Sequence, residues 1–412
     1  MTRRRRRSAA GRPLFTVLTA FGVLAGAALA GAAPAGAVPA GRRIAPGVTY
    51  RQFDVRAAAG TAHAHLLTVD LGDPHVRLGL LYPGAVAARA TVSRMADTAG
   101  AVAGVNGDFF DISETQHPGV EATGASVGPA VADGRVLKAA VPKGQRFGPA
   151  LPPGTTTQDV LGVGTDRRAR TDRLALTGSV LTPEKRITLR GLNQYALPQN
   201  SVGAFTSRWG SASRARAVCG TDTDRAAACS SDTREVTVRD GRVVSVSGKP
   251  GSGPIGAGST VLVGRESGAK ELRKLSVGDP VTVTHDLVPA SGRDPFAFAI
   301  GGYPVMRDGK PLSGLDDATS AVRTVVGFSD GGHRMLLLAL DGAAAYRKGM
   351  TVAEEASTLR GLGATDAFNL DGGGSSEMVA RNSGAQAVTV RNHPSGGAER
   401  PVANGIGVFS AS

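Results

Sequence analysis

The residues best suited to chemistry lie in one short run, Asn369-Leu370-Asp371-Gly372-Gly373-Gly374-Ser375-Ser376. A strand entering this run delivers Asn369 and Asp371 to the same face, because strand side chains alternate. Three glycines in a row remove every Cβ, so the main chain can come close to a ligand and turn its amides toward it. Ser375 adds a hydroxyl. Amides and hydroxyls suit phosphate or sugar oxygens, and a carboxylate suits proton transfer or attack at carbon. A plain hairpin with a capping Asp is the simpler reading, but a two-residue turn does not need three glycines.

Other candidates are scattered along the chain. Asn106-Gly107-Asp108-Phe109-Phe110-Asp111 follows the apolar run Ala101–Val105, and polar groups at strand ends are where sites are commonly assembled. Arg323 precedes the apolar run 324–328, and Asp341 ends the next one; an Arg can pair bidentately with phosphate. Glu354 lies in a predicted helix, and Arg400 stands just before the last strand. Two familiar patterns are set aside. Gly251–Gly256 matches G-x-G-x-x-G, but Pro254 and a strand-like run follow where a dinucleotide site needs a helix. Gly124–Gly128 matches G-x-S-x-G without the flanking strand and helix of a nucleophile elbow. The seven histidines form neither an H-E-x-x-H pattern nor a tight cluster.

The elements that must position these residues are mostly short. Strands are expected at His65–Leu71 and Val76–Leu81, then a helix within Ala87–Ala99. Residues 155–294 read as a series of short β runs broken by Gly, Pro and Asp, which suggests an inserted β-rich subdomain. Farther on, strands at Thr324–Phe328 and Met335–Leu340 precede a helix at Val352–Leu362 and strands at Ala367–Leu370, Glu377–Ala380 and Ile406–Phe409. The expected fold class is α+β: mixed or antiparallel sheets with flanking helices plus the β-rich insertion. The division is 1–37 leader, 38–100 N-terminal strands and helix, 101–154 with 295–412 catalytic domain, and 155–294 insertion.

Composition bounds the partners. The chain of 412 residues is 41% hydrophobic and 20% charged, a globular balance, and its 57 glycines argue against a helical bundle. Its formal charge is +13, but Arg3 to Arg7 and Arg12 stand in a leader. Without those six the balance is +7, with 41 basic against 34 acidic residues. With 4% aromatics and no basic stripe, nucleic acid is not an expected partner. Arg3–Arg7, the apolar stretch Leu14–Ala30 and Ala35-Gly36-Ala37 form the three parts of a secretory signal peptide. The mature chain is therefore expected to be secreted, without a stable membrane anchor. Cys219 and Cys229 are the only cysteines; in an exported chain they are expected to form a disulfide that staples a loop.

Taken in order, NGDFF, VRTVVG with LDG, GMTVAE and LGATDAFNLDGGGSSEMV resemble the phosphodiester glycosidase family, over about 101–110 and 321–409. The resemblance implies an exported hydrolase that cuts a sugar-1-phosphodiester between the anomeric carbon and the phosphate oxygen. By position it implies Asp371, Glu354, Asp341 and Arg323 as catalytic, and Asn106, Asn369, Gly372, Gly373, Gly374, Ser375 and Arg400 as substrate-binding. The family's mammalian pattern has glycine where Asp108 stands, so no role carries over to Asp108. In the implied mechanism Asp371 acts at the anomeric carbon, Arg323 and Arg400 with the glycine amides hold the phosphate, and Asn106 and Asn369 bind sugar hydroxyls. A phosphodiester is a weakly basic leaving group, so a general acid matters less than in ordinary glycoside cleavage. The substrate class would be a nucleotide sugar, a teichoic-type polymer or another glycan phosphodiester. Two alternatives use the same groups: a non-catalytic module binding anionic cell-wall polysaccharide, and a Ca²⁺ site built from Asp341, Asp371 and Glu354.

Overall fold

A computed structural model describes residues 41–411; the expected signal peptide at 1–37 lies outside the described residues. Strands make up 41% of the chain and helices 10%, so the α+β expectation is corrected: the protein is mostly β. The helical patterns in the sequence were real but short. The three α-helices among the described residues are α1 (Val92–Ala99), α2 (Ser267–Leu272) and α3 (Val352–Gly361). Helix α1 begins only at its cap, Thr91, because Ala90 is already paired with Val402. Sheets, and not flanking helices, cover most of the apolar strand faces.

Three sheets carry the fold. The eight-stranded sheet runs in the order 42–45, 48–57, 60–70, 334–340, 324–329, 366–369, 303–307, 310–311, and every neighbouring pair is antiparallel. The five-stranded sheet runs 388–390, 378–381, 103–106, 405–410, 76–81, also antiparallel throughout. An eleven-stranded sheet holds the strands of the 155–294 region and also recruits Ala130–Ala132, Arg135–Lys138 and Phe296–Gly301. Its one parallel pair joins Arg186–Leu192 to Val202–Thr206.

Hydrophobic pattern explains the layering. The strand Arg334–Leu340 reads RMLLLAL and is buried from its second residue onward, as expected of a central strand covered on both faces. One cover is α3. A side chain at Gly327, on the adjacent strand, would lie 2.7 Å from Leu359 of α3, so a glycine there lets the helix sit close. The opposite face carries Thr324, whose hydroxyl bonds Asn106 of the five-stranded sheet at 2.7 Å. No helix of the described residues is long and apolar enough to cross a membrane. The expected Cys219–Cys229 disulfide is present.

Candidate active site

Register in the eight-stranded sheet sorts the candidate residues onto two faces. Val325 pairs with Asn369, and Asn369 pairs with Tyr303, so these three share a face. Alternation carries Arg323 and Asp371 to that same side, the one covered by α3. Thr324 pairs with Ala339, and Ala339 with His65, on the other side. Asp341, two residues beyond Ala339, belongs with His65. The candidate set is therefore divided.

Asp371 sits at a crossing of loops. Its amide donates to the Gly107 carbonyl at 2.8 Å, and its own carbonyl accepts from Asn106 Nδ2 at 2.7 Å. The glycine turn is thus packed against the Asn106 loop and the Arg323 strand. Asp371 Oδ1 accepts from the Gly372 amide at 2.9 Å. Burial pushes its carboxyl up to about 6, against the pull of Ser375, the Gly372 amide and the Arg400 charge, and the charge of Asp108 adds to the rise. A carboxyl poised there can be a base or nucleophile near neutral pH.

The three glycines serve a different purpose from the expected one. The amide of Gly372 goes to Asp371, that of Gly373 to the Val322 carbonyl at 2.6 Å, and that of Ser375 to the Gly372 carbonyl at 3.1 Å. The Gly372 and Gly373 amides thus hold the turn and are not turned outward to a ligand. What the missing side chains permit is close packing. A Cβ on Gly374 would lie 2.3 Å from the Arg400 guanidinium, and one on Gly372 would lie 2.8 Å from the Val322 carbonyl. Arg400 therefore lies flat on the turn, with its NH1 donating to Ser375 Oγ at 3.3 Å.

Several other assignments change. Arg323 is buried and tied down: Nε donates to the Met350 carbonyl at 2.8 Å and NH2 to the Thr319 carbonyl at 2.7 Å. Its carboxylate neighbour is Glu355, at 3.7 Å from Nε. Glu354 closes the capping box of α3, accepting from the Thr351 amide at 2.8 Å and from the Ala58 amide at 2.6 Å. Burial would raise its carboxyl, but those amides hold it below the usual range. Asp341 accepts from His65 Nε2 at 3.1 Å, His393 Nδ1 at 2.9 Å and the Ala343 amide at 2.7 Å. Burial is again outweighed by these donors, and Asp341 stays low. Asn106 accepts from Thr324 and from the Glu377 amide, at 2.7 and 3.0 Å, and so acts as a strut between the sheets. The three carboxylates named for Ca²⁺ thus have separate partners. Among the described residues, only His117, Cys219 and Cys229 converge closely enough to suggest a metal, and those cysteines are joined in the disulfide.

Asn369, expected to bind substrate, and several groups that the sequence reading did not assign gather around Asp371. Asn369 is fully buried, and neither atom of its amide has a hydrogen-bond partner among the described residues. Glu355, buried on α3, has both oxygens in the same condition, and burial pushes its carboxyl up to about 8 despite Arg323. Asp108 accepts from the Gly128 amide at 2.6 Å through Oδ2 but leaves Oδ1 unpartnered. Burial raises Asp108 to about 6, while the Gly128 amide and the Lys138 and Arg146 charges pull down. Burial also drags Lys138 to about 7. Its Nζ donates to the carbonyls of Val127, Gly128 and Ala139, and the charge of Asp108 opposes the fall. Arg146 stands over the rings of Phe109 and Tyr303, at 5.2 and 5.9 Å from their centroids, and its charge is felt by both Asp108 and Asp371. No local pattern marks Arg146. Glu355 could have been found, because T-x-x-E at 351–354 is a capping-box signature that removes Glu354 from the chemistry.

The model of the phosphodiester glycosidase family matches residues 232–409, so the resemblance read from the motifs stands over that segment. No curated protein matches the chain. A hypothetical protein from Synechocystis shares 20% identity at a TM-score of 0.66, over 89% of this chain and 62% of that one. The chain therefore spans less than two thirds of that protein's length. A "Putative exported protein" from Burkholderia pseudomallei K96243 shares 22% identity at a TM-score of 0.63, over 85% of this chain and 74% of that one. Both likenesses concern the fold. The zebrafish N-acetylglucosamine-1-phosphodiester alpha-N-acetylglucosaminidase catalytic domain, auto-inhibited by its pro-peptide, matches at 15% identity and a TM-score of 0.43, over 88% of this chain and 83% of that one.

Proposed function

We propose that this chain, whose residues 232–409 match the phosphodiester glycosidase family, is an exported hydrolase of sugar-1-phosphodiesters. The observation that carries the reading is the position of Asp371. It is a carboxyl raised to about 6, packed between the Asn106 loop and Arg400, with the charge of Asp108 close enough to raise it further. In the proposed reaction Asp371, ionised above about pH 6, attacks the anomeric carbon, activates water there, or stabilises the oxocarbenium-like transition state. Arg400, Arg146 and the Ser375 hydroxyl face the departing phosphate, whose growing charge they offset. Arg323 acts behind them through its position. Asp108 is the second carboxylate of the pair; its separation from Asp371 in the complex decides retention or inversion. Export is supported by the disulfide and by the three-part leader.

The test is a screen of the secreted form against nucleotide sugars, simple sugar-1-phosphodiesters and teichoic acids. Release of free sugar together with a phosphomonoester supports the reading. Binding of an anionic cell-wall polymer without any release would favour the non-catalytic module.

A further inference from the structure

Beside the Asp371 site is a cavity of about 200 Å³, with Tyr303, Asp316, Val352 and the segment Pro149–Pro152 among its lining residues. It adjoins the reacting carboxylate through two residues. Tyr303 is the register partner of Asn369, two positions before Asp371. Arg146 stands over the Tyr303 ring and also donates to the Pro149 carbonyl, so one side chain joins the Asp371 site to the cavity wall.

The lining has two kinds of surface. Pro149, Leu151 and Pro152 form an apolar wall backed by the buried Tyr303 and Val352, suited to the C–H faces of a ring. Asp316 supplies one fixed acceptor. Its Oδ1 receives the amides of Ala318 and Thr319, each at 2.9 Å, and its carbonyl accepts the Ala353 amide of α3 at 3.1 Å. The loop is thus pinned to the helix, and the Thr319 hydroxyl also donates to the carboxylate, which keeps lone pairs for further donors. The amides of Thr319 and Ala318 also hold the carboxyl below its ordinary value, so it is ionised. One turn along α3 from Val352 lies Glu355, buried with both oxygens unpartnered.

Charge decides which end of a sugar-phosphodiester fits here. Arg400 lies beside Ser375 on the glycine turn, whereas the cavity lining includes no arginine and its one charged side chain is Asp316. A fixed anion repels a phosphodiester and accepts hydrogen bonds from hydroxyls. We infer that the cavity bounded by Tyr303, Asp316 and Pro149–Pro152 is a subsite for a single neutral, hydroxyl-bearing pyranose ring, the sugar end of the substrate. The inference rests on the proposed reaction at Asp371 and adds to it the side from which the sugar enters. The ring sits against the Pro149–Pro152 wall with hydroxyls directed to the Asp316 carboxylate, and the phosphate points back to Arg146 and Arg400.

Saturation-transfer NMR on the full chain tests this with two probes read separately: a panel of neutral methyl α-glycosides (gluco, manno and N-acetylgluco) and dimethyl phosphate. Two variants are compared with the unaltered protein: Asp316→Ala, which removes the acceptor, and Ala150→Trp, which fills the cavity from an exposed wall position. Circular dichroism and thermal melting confirm the fold. The expected result is binding of at least one glycoside that weakens about tenfold or more in both variants, with dimethyl phosphate unaffected. Glycoside binding that persists in both variants, or no glycoside binding to the unaltered chain, overturns the subsite. Glycoside binding with no dimethyl phosphate binding to the unaltered chain would count against the phosphodiester reaction and leave the sugar subsite standing, and loss of phosphate binding in both variants would overturn the division of the site.

Discussion

Asp341 and Asp371 stand at the same end of the eight-stranded sheet with one strand between them, yet their surroundings are opposite. Asp341 is met by two histidines and a backbone amide, and its carboxyl is held low. Behind it His65 accepts from the Tyr50 hydroxyl at 2.7 Å, and burial keeps that imidazole neutral, with its proton affinity down to about 4. No buried polar atom of Asp341, His65 or Tyr50 lacks a partner. Around Asp371 the reverse holds: Asn369, Glu355 and Asp108 all keep unpartnered buried atoms, and the carboxyls are raised. Buried polar atoms are normally satisfied, and exceptions call for an explanation. A fully satisfied carboxylate is a structural part, and a raised one among unpartnered groups is available to a substrate. The difference separates residues that the family motif had grouped together.

The largest test of this contrast is a pair of isosteric changes. Asp371→Asn is expected to lower kcat by on the order of 10³-fold or more on any substrate the protein cleaves. Asp341→Asn is expected to leave kcat within a few-fold while costing about 1–3 kcal/mol of stability, because His65 and His393 lose an ionised acceptor. Steady-state kinetics and chemical denaturation on both variants check this, and equal kinetic losses would erase the distinction.

Next are the arginines. Removing Arg400 or Arg146 takes away a charged donor worth ~1.5–3 kcal/mol, or about 10- to 100-fold in KM or kcat/KM. Arg323→Ala should instead appear chiefly as lost stability, about 1–3 kcal/mol, since it leaves the Met350 and Thr319 carbonyls without their donor. A third test concerns Glu355. Its folded value of about 8 lies above the ordinary 4.5, so the folded chain keeps a proton that the unfolded chain releases. The stability this supplies is full below about pH 4.5 and is lost as pH rises toward about 8. Glu355→Gln stays neutral, so its stability relative to the unaltered protein should improve by at most about 1.4 kcal/mol per pH unit across that window. Denaturation at pH 5, 7 and 9 measures the trend, and parallel curves would count against the assignment. The smallest effect is Glu354→Ala, expected to cost ~1 kcal/mol through the lost cap with unchanged kcat.

Much of this site could be read from the sequence, and what could not has physical causes. The run at 369–376 brought forward Asp371, on which the proposed reaction turns, and short-range rules placed α3 and the disulfide. The roles of Asp341 and Asn106 were out of reach because their partners lie far away in the chain: His65 and Thr324 come close only through sheet order, whereas the capping role of Glu354 was legible in T-x-x-E. Arg146 was invisible for the same reason, since it arrives from a loop with no motif. The α+β expectation failed because local helical patterns do not reveal that sheet packing against sheet would bury most strand faces.

The most direct measurement is the pH dependence of kcat/KM for the unaltered protein beside Asp371→Asn, on one sugar-1-phosphodiester. A rate that rises through about pH 6 as Asp371 ionises, with that rise missing from the residual activity of the variant, is the predicted result. An undiminished rate in the variant, rising through the same pH, would place the reacting group elsewhere.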